Sequence, residues 1–333
     1  LCIVWQHVFG LASAQPPTGF VGCAKFFLII LVIYGHIYSG EQGMYGVRFV
    51  YLFHMPLFAY ISGFFSSFCS DSSSFYSKNK KLLLYYVGFQ IVYYIICRFL
   101  EIYQMSFTQL LFKPFIHLWY LLSLFYWRLF LFIFGKIIKK HLLLSLCFCF
   151  CFCLICGFLN INGEFAIGKT FVLLPFFMLG FYCRERKVFY VLFKKTFIKS
   201  LLSLLMFFVG IIMSTRMPQF CDTYYGHYTC IKDFVLRIIF LLLGLGLSYS
   251  LCFFCLLLFN SFSQHQQRFF GGAGKYTLDI YLYHIIPIIF LSKILSNFGN
   301  TEIEHIFYTL IVLLLTFFII TIKQQFIILT KHK

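Results

Sequence analysis

The chain is poor in charge. Asp, Glu, Lys and Arg supply 11% of its 333 residues, where soluble domains carry about 25%. That excludes an ordinary water-soluble domain. Other features are missing as well. No internal repeat, long linker or low-complexity stretch breaks the sequence, so neither a solenoid nor a tethered second domain is expected. There is no HExxH and no paired CxxC set, and the histidines are spread along the chain, so no metal site is expected. No glycine-rich phosphate loop is present; GGAG at 271–274 reads as a turn. The sequence does not begin with Met. LASAQ near residue 11 resembles a signal cleavage site, but no basic stretch precedes it. Residues 1–19 are therefore set aside, with 20–329 as the main domain and 330–333 as a short tail.

What is abundant is apolar. Hydrophobic residues make up 61%, with 49 Phe, and mean hydropathy is +0.89. Runs of about 18–25 apolar residues recur, long enough to cross a bilayer. They fall near 20–38, 46–68, 82–100, 116–134, 142–159, 165–183, 197–214, 234–259, 272–291 and 305–328. The expected fold is all-α: a polytopic transmembrane bundle of about ten spans, with lipid as its solvent.

The formal charge of +17 raises nucleic acid as a partner. Charge position argues against it. Lys78, Lys80 and Lys81, then Lys136, Lys139 and Lys140, then Arg184 to Lys199, fall in alternate loops, and Arg268, Lys275, Lys323, Lys331 and Lys333 continue the series. The intervening loops hold few Lys or Arg and most of the acids, among them Glu41, Glu101, Glu302 and Glu304. This is the positive-inside pattern, and it places both termini in the cytoplasm. Arg98, Lys169 and Arg237 lie nearer the outer ends of their spans, where snorkelling is the default.

Most of the 14 Cys lie inside apolar runs. In CFCFCFC, Cys147, Cys149, Cys151 and Cys153 are spread around a helix axis and act as small apolar filler. Cys252 and Cys255 have CxxC spacing but no second pair. Cys221 and Cys230 share a loop, and a disulfide there depends on which compartment it faces.

His36, in FFLIILVIYGHIYSG, and His54, in VYLFHMPLFAYISGFF, are costly in hydrocarbon unless a partner or a cavity receives them. With Lys25 at the inner edge, His36 stands about 16 Å up, and His54 about 12 Å below the outer surface. The two depths agree within a helical turn, and the pair reads as a proton-transfer site. Pro56 and Gly63 are placed to open the second span and widen a cavity. The bland alternative is that each ring bonds backbone and packs the bundle. His284, nine residues beyond Lys275, is a third candidate about 13 Å up. Asp279, on the same span, is expected to be functional or paired, a His being one partner.

Four segments carry a family likeness. Lys25, ten residues, then His36 resembles the basic-x10-His signature of acyltransferase family 3. FHMPLFAYISGFF, HLWYLLSLFYW and GKYTLDIYLYH resemble that family's later motifs, in the same order. The family usually has Arg where Lys25 stands, and Phe26 replaces a small residue. The chain looks most like stand-alone members related to fucose 4-O-acetylase.

The resemblance implies transfer of an acyl group, most often acetyl, from cytoplasmic acetyl-CoA or another acyl-CoA to a hydroxyl of a cell-surface sugar. It implies a multi-pass protein of the cell membrane, in bacteria the inner one, with no tightly bound cofactor. His36 is then the base or acyl acceptor and His54 the second proton carrier or orienting group. Lys25 and Arg128 are candidates for the CoA phosphates, the alternative for both being snorkelling. Trp119 and Tyr120 either anchor at the interface or stack on sugar. Tyr281 and Tyr283 pack the core beside His284. The main rival reading is a transporter or flippase for a lipid-linked sugar or small solute, with His, Asp and Arg as a proton path. A weaker rival is a non-catalytic subunit of an envelope-polysaccharide assembly.

Overall fold

A computed structural model describes residues 18–37, 45–102, 106–159, 164–189, 196–216, 226–294 and 301–331. The described residues form helices joined by turns and short loops, with no strand among them. The helices are α1 (Thr18–His36), α2 (Tyr45–Tyr51), α3 (His54–Phe64), α4 (Ser72–Phe99), α5 (Phe107–Phe112), α6 (Trp119–Lys140), α7 (Leu142–Ile155), α8 (Ile167–Glu185), α9 (Phe197–Arg216), α10 (Ile231–Ser261), α11 (Gln264–Ala273), α12 (Thr277–Tyr283), α13 (Ile285–Ile294) and α14 (Glu302–Lys331).

Among the described residues, eight segments are long and apolar enough to cross a membrane, α2 and α3 counting together. Two further expected spans are helical but do not meet that length. One is the shorter apolar helix at Leu142–Phe158. The other, 277–294, is broken between α12 and α13. The chain is an all-α multi-pass membrane protein. Its outer helices α4 and α9 leave residues such as Leu84, Ile95, Leu201 and Phe208 exposed, as lipid-facing surface requires. Polar residues mark several helix starts. Asp71 caps α4, its carboxylate accepting the Ser74 amide at 2.7 Å. That bond and the Ser70 hydroxyl hold the Asp71 carboxyl below the usual range.

Two glycine crossings set the packing. A Cβ on Gly63 of α3 would lie 1.8 Å from the Phe177 carbonyl oxygen of α8, and one on Gly180 would lie 1.9 Å from that of Tyr60. Gly63 therefore brings two backbones together and does not open the second span. In the same way Gly22 of α1 meets Gly271 and Gly274, with 2.1 Å between its added Cβ and the Gly271 oxygen. GGAG at 271–274 is consequently not a plain turn. It is the end of the amphipathic helix α11 and the start of a 3₁₀ turn, Gly274–Tyr276, docked on α1.

Prolines break two spans. Pro56 lacks an N–H, and its ring clashes with the carbonyl four residues back, at Leu52. α2 stops at Tyr51 and α3 restarts at His54. Pro287 does the same to the carbonyl of Tyr283, and His284 is the residue between α12 and α13.

The cysteines of α7 divide by face. Cys149, Cys153 and the following Cys156 are buried, while Cys147 and Cys151 are exposed. Cys221 lies outside the described residues, so the conditional pairing with the exposed Cys230 falls outside them too.

Candidate active site

His36 is the last residue of α1. His117 is in the turn before α6, three residues after Pro114. His284 is at the break between α12 and α13. These three rings converge, with centroids 6.0 Å apart for His36 and His117, 5.4 Å for His36 and His284, and 4.9 Å for His117 and His284. His54 stands beside the trio. Its ring packs edge-on against Tyr51 at 4.9 Å, and the Tyr51 hydroxyl donates to the carbonyl of Gly35, next to His36. Irregular backbone at membrane depth is tolerated where protein or a cavity surrounds it, and here each break carries an imidazole.

The breaks also orient the rings. Nδ1 of His54 lies 2.8 Å from the Val50 carbonyl oxygen. Nδ1 of His284 lies 2.9 Å from that of Tyr281 and 3.1 Å from that of Ile280. A carbonyl only accepts, so Nδ1 carries the hydrogen in both rings and Nε2 keeps its lone pair. Nε2 of His284 is buried with no partner among the described residues, and so are both ring nitrogens of His117. Buried polar atoms are paired in the great majority of cases. Three orphan nitrogens in one place mark a site for reacting atoms. Among the described residues no group of three or more His, Cys, Asp or Glu is placed to hold a metal ion.

Below the histidines is a cavity of about 560 Å³. Lys25, Lys78, Lys81, Arg128 and Lys275 line it, as do Val32, Met55, Tyr120 and Tyr281. Each of those last four stands within about one helical turn of a clustered histidine in sequence. Tyr281 joins the two compartments: its ring lies 5.0 Å from that of His117, and its hydroxyl donates to the His117 carbonyl. It is thus a wall of the cavity as well as core packing. Tyr120 donates to the Phe58 carbonyl at 2.9 Å and shares a 2.6 Å bond with the Ser62 hydroxyl. Arg128 donates to Asn79 at 3.2 Å, and Lys25 lies 4.8 Å over the Phe65 ring.

Other expectations change. Asp279 pairs with Lys323 of α14 at 2.6 Å; its hydrogen-bonded partner is an ammonium, not a histidine. Trp119 is buried, with the Lys169 ammonium 4.8 Å over its ring, so it is not an exposed interface anchor. Lys169 is turned inward, over the buried Trp119 ring. Arg237 does not snorkel either. It is 1% exposed, stacks on Tyr228 at 4.5 Å and donates to the carbonyls of Cys153 and Gly226. The sequence reading missed His117 and Lys169 as site residues, although HLWYL contains the first.

Residues 18–323 match the family model for an acyltransferase domain. No curated protein and no solved structure matches the chain. With a family match over nearly its whole length and a histidine cluster enclosed by its helices, the chain belongs to acyltransferase family 3 and is a membrane acyltransferase.

Proposed function

We propose that this acyltransferase moves an acyl group, acetyl by preference, from acyl-CoA to a hydroxyl of a cell-surface sugar or polysaccharide precursor at the membrane of a bacterial cell. The cavity carries this reading. Its cationic side chains suit a polyphosphate donor, and Tyr281 in its wall packs against His117 of the imidazole cluster. CoA phosphates bind Lys25, Lys78, Lys81, Arg128 and Lys275, and the pantetheine arm points the thioester at Tyr120 and Tyr281.

The chemistry is a single displacement at the acyl carbon. His36 takes the proton of the acceptor hydroxyl as its oxygen attacks the thioester carbonyl. The new C–O bond forms, the C–S bond breaks, and the thiolate leaves with a proton passed through His117 and His284. His54 orients the reactants at the edge of the cluster. Lys169 places positive charge beside the oxygen that becomes negative in the transition state. Trp119 offers an apolar face to the sugar ring.

The test is transfer of labelled acetyl from acetyl-CoA by the purified chain in vesicles, with mass spectrometry of surface glycans in cells with and without the gene. One added acyl unit on a glycan, lost in His36→Ala, is the expected result. Replacing Lys25 and Arg128 with Met should raise the donor KM about tenfold, and added salt should weaken donor binding in the wild type. Solute movement without acyl consumption, or full transfer by His36→Ala, would overturn the assignment.

A further inference from the structure

α1 ends at His36, and the Ile37 amide donates to the Ile33 carbonyl at 3.2 Å. Donors from other helices reach the next two carbonyls. Nε2 of His305, on α14, lies 2.7 Å from the Tyr34 carbonyl oxygen, and its ring stacks edge-on against Tyr34 at 4.5 Å. The Tyr51 hydroxyl donates to the Gly35 carbonyl at 3.1 Å, and Tyr51 is also the ring against His54.

The neighbouring carboxylate ties the same turn down from its side chain. The Tyr34 hydroxyl donates to Oε2 of Glu302 at 2.5 Å. The other oxygen, Oε1, accepts the Gly46 amide at 3.1 Å. Gly46 is the second described residue of α2. One carboxylate therefore holds the end of the helix carrying His36 and the start of the segment leading to His54. A Cβ at Gly46 would lie 2.1 Å from the Tyr34 hydroxyl and 2.9 Å from Glu302, so a larger residue there must displace those side-chain ends.

We propose that Glu302 and His305, on the first turn of the last helix, are positioning residues for His36. They act through Tyr34, two residues before it, and fix the direction in which α1 delivers its terminal imidazole. His305 completes the backbone of that turn; Glu302 locks its side chain to α2. Neither residue touches the histidine cluster through any bond described above. The proposal rests on the acyl-transfer reading of His36, and it explains why a helix that ends at a reacting group holds that group still.

The experiment compares Tyr34→Phe, His305→Phe and His305→Gln in the full chain in vesicles. Phe keeps the ring at 305 and loses the donor, while Gln can donate an amide N–H to the Tyr34 carbonyl. A misplacement of about 1 Å costs up to 10²-fold in rate. His305→Phe and Tyr34→Phe are expected to lower kcat about ten- to a hundredfold with the donor KM within about twofold, and His305→Gln to recover most of the rate. A second readout needs no turnover. The rate at which diethylpyrocarbonate modifies His36, mapped by peptide mass spectrometry, should change in both Phe variants and return toward wild type in His305→Gln. Equal losses in His305→Phe and His305→Gln, or unchanged kcat and unchanged His36 modification in both Phe variants, would overturn the positioning role. Absence of transfer by the wild type would instead remove the acyl-transfer reading, and the modification rates would still decide the positioning claim.

Discussion

Segment 45–64 and helix α4 have similar overall hydropathy, yet they serve opposite ends. The first is interrupted at Leu52 and Phe53 and has 67% of its apolar window buried; the second runs 28 residues without a break and has 17% buried. The bilayer explains the division. Hydrocarbon offers no partner for a freed carbonyl or amide, so a helix facing lipid must satisfy its own backbone. A helix surrounded by protein is released from that demand. At the breaks in 45–64 and 277–294 imidazoles sit on backbone carbonyls inside the bundle, those of Val50, Ile280 and Tyr281. The unbroken peripheral helices serve chiefly as a lipid-matched wall.

The largest test of this contrast is at the glycine crossing that docks α3 on α8. Gly63→Leu or Gly180→Leu drives a side chain into backbone oxygens less than 2 Å from the added Cβ. Backbone cannot give way as a flexible side chain can. The expected outcome is loss of the folded protein, by more than the usual 1–3 kcal/mol of overpacking, read as aggregation in detergent size-exclusion profiles. A monodisperse Gly63→Leu protein with near-normal thermal stability would show that α3 and α8 are not in backbone contact.

His117→Phe should separate stability from activity. Both ring nitrogens are buried without partners, so removing them breaks no described hydrogen bond and relieves unsatisfied polar atoms. Thermal stability should hold or rise, while acyl transfer falls about 10²-fold or more. Equal activity would take His117 out of the proton path.

The helical fold and the positions of its apolar segments were readable in the sequence because lipid imposes length and apolarity on each span. His36 and His284 were readable as intramembrane imidazoles. His117 was harder, since it precedes its apolar helix and HLWYL draws attention to Trp119. A signal was present nonetheless. His54, His117 and His284 each lie within three residues of a proline, at Pro56, Pro114 and Pro287. Proline disfavours a continuous helix; Pro175 stays inside α8, but Pro56 and Pro287 stand at breaks, and breaks are where these rings sit. Lys169 and Arg237 were misread because depth along a helix does not say which way a side chain faces. The ion pair of Asp279 and Lys323 joins residues far apart in sequence, which spacing along one helix cannot reveal.

Pro287→Ala tests the break itself at a smaller scale. Restoring the amide lets the Tyr283 carbonyl regain an intrahelical partner and allows α12 and α13 to join. Intrinsic preference favours Ala over Pro in a helix interior by about 3 kcal/mol, although at the third residue of α13 much of that gain is absent. Thermal stability should be equal or higher. The His284 ring should shift off the Ile280 and Tyr281 carbonyls, and kcat should fall about tenfold. Unchanged kcat would mean that the break is not needed to orient His284.

The smallest expected effect comes from Gly88 in the middle of α4, and it reverses the sign seen at Gly63. An added Cβ at Gly88 meets nothing within 4 Å, and the helix around it is continuous. Gly88→Ala then exchanges a flexible residue for the best helix former, with the new methyl facing open space. The expected gain is about 0.5–1 kcal/mol, seen as a small rise in unfolding temperature with kcat unchanged. The same Gly→Ala exchange at Gly63 must push against the Phe177 carbonyl and should destabilise the protein. Loss of stability at Gly88 would show a neighbour pressed against the lipid-facing side of α4, and the division between wall and site would have to be redrawn there.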